Sequence, residues 1–172
     1  MQEALLNRIK DEAREAPLEK RSVLLRQLGD LYAARHGQIA NDQVGLFVGV
    51  AIDLLASATL FERMAFANTL ADIGAAPQRL VDHMLKDVYL VVRPLIERGQ
   101  LSQERLMELM DDDKRELTLM MIAQRPRTKM PVTDRLVSDG SVKVLVALAS
   151  NTGAELSNAA FEKLGELAAD NP

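Results

Sequence analysis

The 172-residue chain contains no cysteine and no tryptophan, and aromatic residues make up only 3% of it. The missing cysteine excludes disulfides, thiolate nucleophiles and cysteine-ligated zinc together. It suits a reducing compartment, so the expected location is cytoplasmic. Histidine is almost as scarce, with His36 and His83 alone. Most zinc and nucleophilic mechanisms therefore lack their parts. The sequence also has no P-loop, G-x-G-x-x-G, H-E-x-x-H or G-x-S-x-G motif. The expectation is a protein that is not an enzyme and holds no cofactor and no metal.

Long apolar runs are absent as well. The longest uncharged apolar stretch lies between Asp42 and Asp53. A membrane-spanning helix needs about 20 apolar residues, so none is expected. The N-terminal MQEALLNRIKDEARE is amphipathic and mixed in charge, without the apolar core of a signal peptide. Nor is there a basic excess. Lysine and arginine number 21 against 25 aspartates and glutamates, for a net charge of −4. That balance weighs against a nucleic-acid partner.

What is present is a large aliphatic fraction. Hydrophobic residues make up 48% of the chain. No β-rich run with period-two alternation competes with the helical pattern, so the fold class is all-α. The length suits one domain, residues 1–172, which can bury roughly 70% of its unfolded surface without disulfide or metal.

A spacing of 26 residues recurs through the C-terminal two thirds. Leu70, Ile96, Ile122 and Leu148 keep it, as do Phe66, Val92, Thr118 and Val144. A second set follows the first three units: Leu80, Leu106 and Val132, then Met84, Met110 and Leu136. Fixed-period similarity of this kind marks an array of helical repeats. The predicted architecture is an N-terminal helical bundle, residues 1–58, continuing into a short α-solenoid of about four helix pairs, residues 59–169.

Local signals place the helices. The first covers residues 2–15. The second covers 18–35, with a stripe of Leu24, Leu28, Leu31 and Tyr32, and His36-Gly37 ends it. Thr59 and Glu62 form a capping box ahead of a helix from Leu60 to Asp72, and Pro77 opens the next. Pro94 falls inside a helical pattern, where it removes one backbone bond. Asp113 and Glu116 suggest a second capping box. In the last unit Asn158 and Glu162 stand where apolar residues are due. Phe161 and Leu164 serve instead if the preceding turn is longer by two or three residues.

Three groups of residues invite a functional reading. Arg125, Arg127, Lys129 and Arg135 form the densest basic cluster, near an inter-helix turn, where an acidic or phosphorylated partner could bind. Val44, Phe47 and Val48 lie on a helix that is apolar nearly all round, which offers a homodimer face unless that helix is central. Gly45 and Gly49 on the same helix are four residues apart. His36 or His83 accepting a phosphoryl group, as in two-component signalling, is the alternative function, and weak nucleic-acid binding through the basic cluster is another. Asp111, Asp112 and Asp113 read as a linker whose last residue caps a helix.

Three segments together carry a family resemblance: SVLLRQLGDLYAARHGQIANDQVGLF, VVRPLIERGQLSQERLMEL, and LMMIAQRPRTKMPVTDRLVSDGSVKVLVALASNTGAELSNAAFEKL. The most specific part is R-P-x(6)-T-D-x-L-V-x-D-G, from Arg125 to Gly140, followed by A-L-A-x-N ending at Asn151. Over about residues 18–168 the chain resembles the bacterial domain-of-unknown-function family 2336, known mainly from alphaproteobacteria. The resemblance implies an all-helical protein with HEAT-like repeats and implies no activity. Together with the missing catalytic motifs, it makes an adaptor or regulator with an unidentified protein partner the expected function.

Overall fold

A computed structural model describes residues 2–35, 41–113 and 115–170. Among these residues there are eleven helices: α1 (Gln2–Glu15), α2 (Leu18–Arg35), α3 (Asn41–Leu55), α4 (Leu60–Ala71), α5 (Gln78–Met84), α6 (Tyr89–Glu97), α7 (Gln103–Asp112), α8 (Glu116–Ala123), α9 (Met130–Asp139), α10 (Val142–Ala149) and α11 (Asn158–Asp170). The described residues include no strand, only an isolated parallel bridge between Thr128 and Ala154. The all-α expectation holds. No described helix is long and apolar enough to cross a membrane. His36 and the Gly37 cap lie outside the described residues.

The chain divides into two compact units, Met1–Leu95 and Ile96–Pro172. The division falls within α6, later than the boundary near residue 58 that the periodicity suggests. The reason is packing: α2 lies against α4 and α3 against α5, so the first helix pair of the periodic region joins the N-terminal helices.

In the first unit α3 is central. Phe47 and Ala51 are fully buried, and Val48, Val50, Leu54 and Leu55 are nearly so. Phe47 stacks on Tyr32, ring centroids 4.2 Å apart, and the Tyr32 hydroxyl donates to the Ala75 carbonyl at 3.1 Å. Burying a side chain such as Phe47 stabilises by about 1.5–3 kcal/mol. The dimer face expected at Val44, Phe47 and Val48 is therefore corrected. Phe47 and Val48 are interior, and Val44 packs half-buried against the same core.

What α3 leaves to solvent is a stripe of Gly45, Gly49 and Asp53. A Cβ built on Gly45 or Gly49 meets nothing within 4 Å, whereas one on Gly29 would press on the Phe66 ring at 3.2 Å. Glycine in a helix interior is about 0.8–1.0 kcal/mol worse than alanine. Nothing within the unit requires it at 45 or 49. The Gly45→Ala/Gly49→Ala double variant is thus expected to gain about 1–2 kcal/mol in urea unfolding followed by circular dichroism. An unchanged or lower midpoint would show that the two positions are crowded after all.

The helix pairs follow their sequence signals closely, with two exceptions. The Thr59 box forms as expected, with Thr59 N–H donating to Glu62 Oε2 at 2.7 Å and Glu62 N–H to Thr59 Oγ1 at 3.4 Å. The Asp113 box does not form. Arg115 is the N-cap of α8, and its side chain does not cap. The Asp113 carboxylate instead accepts from the Arg115 guanidinium at 2.7 and 2.8 Å, the Arg115 amide at 3.1 Å and the Thr118 hydroxyl at 2.7 Å. The Arg115 side-chain bonds, more than those from Thr118 and the Arg115 amide, hold this carboxyl well below the ordinary carboxylate range. Partial burial opposes them.

All fourteen positions of the 26-residue series are buried, from Phe66 to Leu148. In the last pair the turn spans 150–157, eight residues, against six (124–129) in the pair before. The register moves by two. Leu164 is half-buried and Ala160 is interior, but Phe161 is 69% exposed, so the expectation that Phe161 fills the core is overturned.

Candidate functional site

The second unit carries an apolar surface that its own packing does not use. Helix α10, VKVLVALA, is hydrophobic on both sides. Val144, Leu145 and Leu148 face inward, while Val142 and Val146, four residues apart, are 56% and 59% exposed. Residues i and i+4 share one face of a helix. The neighbouring α8 packs against α10 and adds Leu117, 54% exposed, and the half-buried Met120. Scattered exposed aliphatics are ordinary, but a contiguous group is not.

An open groove of about 650 Å³ lies on this face, lined by the apolar Met120, Val142, Val146 and Ala147 and by the polar Gln124, Ser150 and Thr152. Lys143 also lines it. Lys143 reaches Glu116 at 3.1 Å, and Ser141 donates to the same carboxylate at 2.6 Å. The lining is thus mixed, apolar side chains beside polar ones. It can bind an amphipathic surface. Among the described residues, no group of three histidines, cysteines or acids is placed to hold a metal.

The basic cluster takes a different form from the one its spacing suggests. Arg125 is 8% exposed, and its guanidinium donates to the carbonyls of Ile96 and of Gly99, the latter at 3.0 Å. Lys129 pairs with Glu155. Arg135 bonds Asp139 at 2.5 Å and Asp111 at 2.6 Å. Arg127 is exposed. Three of the four residues thus make contacts inside the unit, and the structure does not gather them into one free patch. His83 is exposed on α5.

The specific motif from Arg125 to Asn151 is structural in this geometry. Asn151 Nδ2 donates to the carbonyls of Ala123 at 2.7 Å and Arg125 at 2.6 Å. The Thr133 hydroxyl donates to the Glu155 carbonyl at 2.6 Å, and Ser157 donates to Asp134 at 2.6 Å while accepting from Ala160 N–H. Arg125 and Asn151 are themselves 26 residues apart, and each donates to a carbonyl 26 residues earlier. Residues 91–172 match a bacterial family of uncharacterised proteins. The family is described as an uncharacterised protein conserved in bacteria, domain of unknown function 2336. The match takes in the whole second unit, with the α8–α10 groove and the Arg125–Asn151 motif. Residues 22–47, the first segment of the resemblance, lie outside it. No curated protein and no solved structure matches this chain.

Proposed function

We propose that this chain is a non-enzymatic adaptor or regulator that binds another protein through a helical surface, and that it works in the cytoplasm. The observation that carries the reading is the exposed pair Val142 and Val146, which line the α8–α10 groove with Met120, with Leu117 exposed on the neighbouring α8. An amphipathic partner helix would lay its apolar face there, with anchors at i, i+3 or i+4 and i+7. The 26-residue burial series supports a repeat array as the scaffold. Arrays of this kind present surfaces for binding rather than catalysis.

The test is affinity capture from the native cytosol by the tagged chain and by a Val142→Glu/Val146→Glu variant. One protein held near stoichiometry by the wild type and lost by at least tenfold from the variant supports the reading, since two charges facing an apolar partner should weaken binding by more than 1.4 kcal/mol. Equal capture by both would remove the α8–α10 face from consideration. Catalytic turnover by the purified chain would overturn the adaptor reading itself.

A further inference from the structure

The first unit carries a second groove of opposite character, between α1 and α3. It measures about 420 Å³, and Lys10, Arg14 and Arg21 line it, with Asp53 as the one acid. Gly45, Leu46, Gly49 and Val50 of α3 form its other wall. The whole chain carries a net charge of −4, so three cations against one acid reverse the general balance. Arg21 fixes the shape of this site. Its guanidinium donates to the Ala13 carbonyl at 2.7 Å, the Asp53 carbonyl at 2.6 Å and the Ser57 hydroxyl at 2.6 Å, bracing the end of α1 against the end of α3.

We propose that the α1–α3 groove receives an acidic helical segment of a partner protein. Three features fit that occupant. Lys10 and Arg14 stand four residues apart on α1, the spacing at which an opposed helix places acids on one face. Gly45 and Gly49 expose bare backbone on the other wall, with nothing within 4 Å of either position. Helix axes come closest where the side chains between them are smallest. Leu46 is only half-buried beside the charges, so a small free anion would leave it uncovered, whereas an amphipathic segment would cover it. The inference concerns the first unit and is independent of the α8–α10 groove.

Displayed random peptides about four helical turns long, selected on the full chain, provide the test. The expected products are rich in aspartate and glutamate at i, i+4 spacing. They should bind Lys10→Glu/Arg14→Glu and Gly45→Leu/Gly49→Leu at least about tenfold more weakly. The first variant changes surface charge alone, and the second raises helix propensity, so matched circular dichroism and urea midpoints would separate loss of binding from loss of fold. Val142→Glu/Val146→Glu should leave this binding unchanged. Recovery of no peptides, peptides without acidic enrichment, or affinity indifferent to both groove variants would overturn the proposal. So would self-association of the chain in sedimentation, abolished by the same variants, because the occupant would then be a second copy.

Discussion

Replacing Gly153 by alanine is expected to destabilise the second unit by about 3 kcal/mol or more, the combined effect of overpacking and lost hydrogen bonds. A Cβ at this position would stand 1.8 Å from the Pro126 carbonyl oxygen and 2.8 Å from its carbon. Both atoms are backbone, so no rotamer change relieves the clash. The glycine has no positive φ, and its role is close approach alone. Around it the turn after α8 runs beside the turn after α10. Thr128 N–H donates to the Gly153 carbonyl at 3.4 Å, and Glu155 N–H donates to the Thr128 carbonyl at 2.8 Å. Moving the turns apart to admit a methyl group would strain or break these bonds and those of Thr133 and Asn151. Overpacking alone costs about 1–3 kcal/mol, and each lost hydrogen bond adds about 1 kcal/mol. Urea unfolding would read the loss, and hydrogen exchange at the Thr128 and Glu155 amides would locate it. A midpoint shift worth less than about 0.5 kcal/mol, the range of ordinary surface substitutions, would mean the turns are not in register.

How much of this was legible depends on whether the signal was local. The buried series from Phe66 to Leu148 was visible because burial repeats at a fixed spacing along the chain. The Thr59–Glu62 box was visible because both partners lie within one turn. The Asp113–Glu116 pair also sets a capping residue three before a glutamate, yet Arg115 and Thr118 take the carboxylate and the helix starts later. The cap of α7, where Arg105 N–H donates to Ser102 Oγ at 3.2 Å, was overlooked because Ser102 has no glutamate three residues on. Phe161 looked like a core residue by size. The eight-residue turn instead rotates α11 so that Ala160 takes the interior position. The two grooves were not legible at all. Five of the eight residues of α10 are valine or leucine, and which of its sides has a neighbour is decided by packing. Gly45 and Gly49 were visible as a pair, but only the structure shows that open space lies over them.

Arg125 is where sequence and structure diverge most, and its replacement should be costly. The turn position and neighbouring cations suggest a solvated, partner-binding residue. Instead its guanidinium is buried and serves the end of α6, a helix that finishes at Glu97. The last carbonyls of a helix have no intrahelical donor and carry the negative end of its dipole. Arg125 satisfies Ile96 and Gly99 there, and its own carbonyl accepts from Asn151. Burial pushes its pKa below the ordinary arginine value, though an arginine stays charged at any pH at which the protein would be handled. Arg125→Met keeps the packing volume, takes from the buried Ile96 carbonyl its guanidinium donor, at about 1–3 kcal/mol, and leaves the Gly99 carbonyl with the Leu101 amide alone, a loss of about 1 kcal/mol. It also removes the Nε–H, which has no acceptor among the described residues, and this offsets part of the loss. The net expectation is a destabilisation of about 2 kcal/mol in urea unfolding. Arg125→Lys should recover no more than about half of it, since an ammonium is a point donor and cannot fork across two carbonyls. Combined with Asn151→Ala, Arg125→Met should show a coupling of about 0.5 kcal/mol or more, because Asn151 holds the carbonyl of the same residue. Additive effects would mean that the two contacts stabilise their turns separately. An Arg125→Met variant as stable as the wild type would return this arginine to the surface role its sequence context suggests.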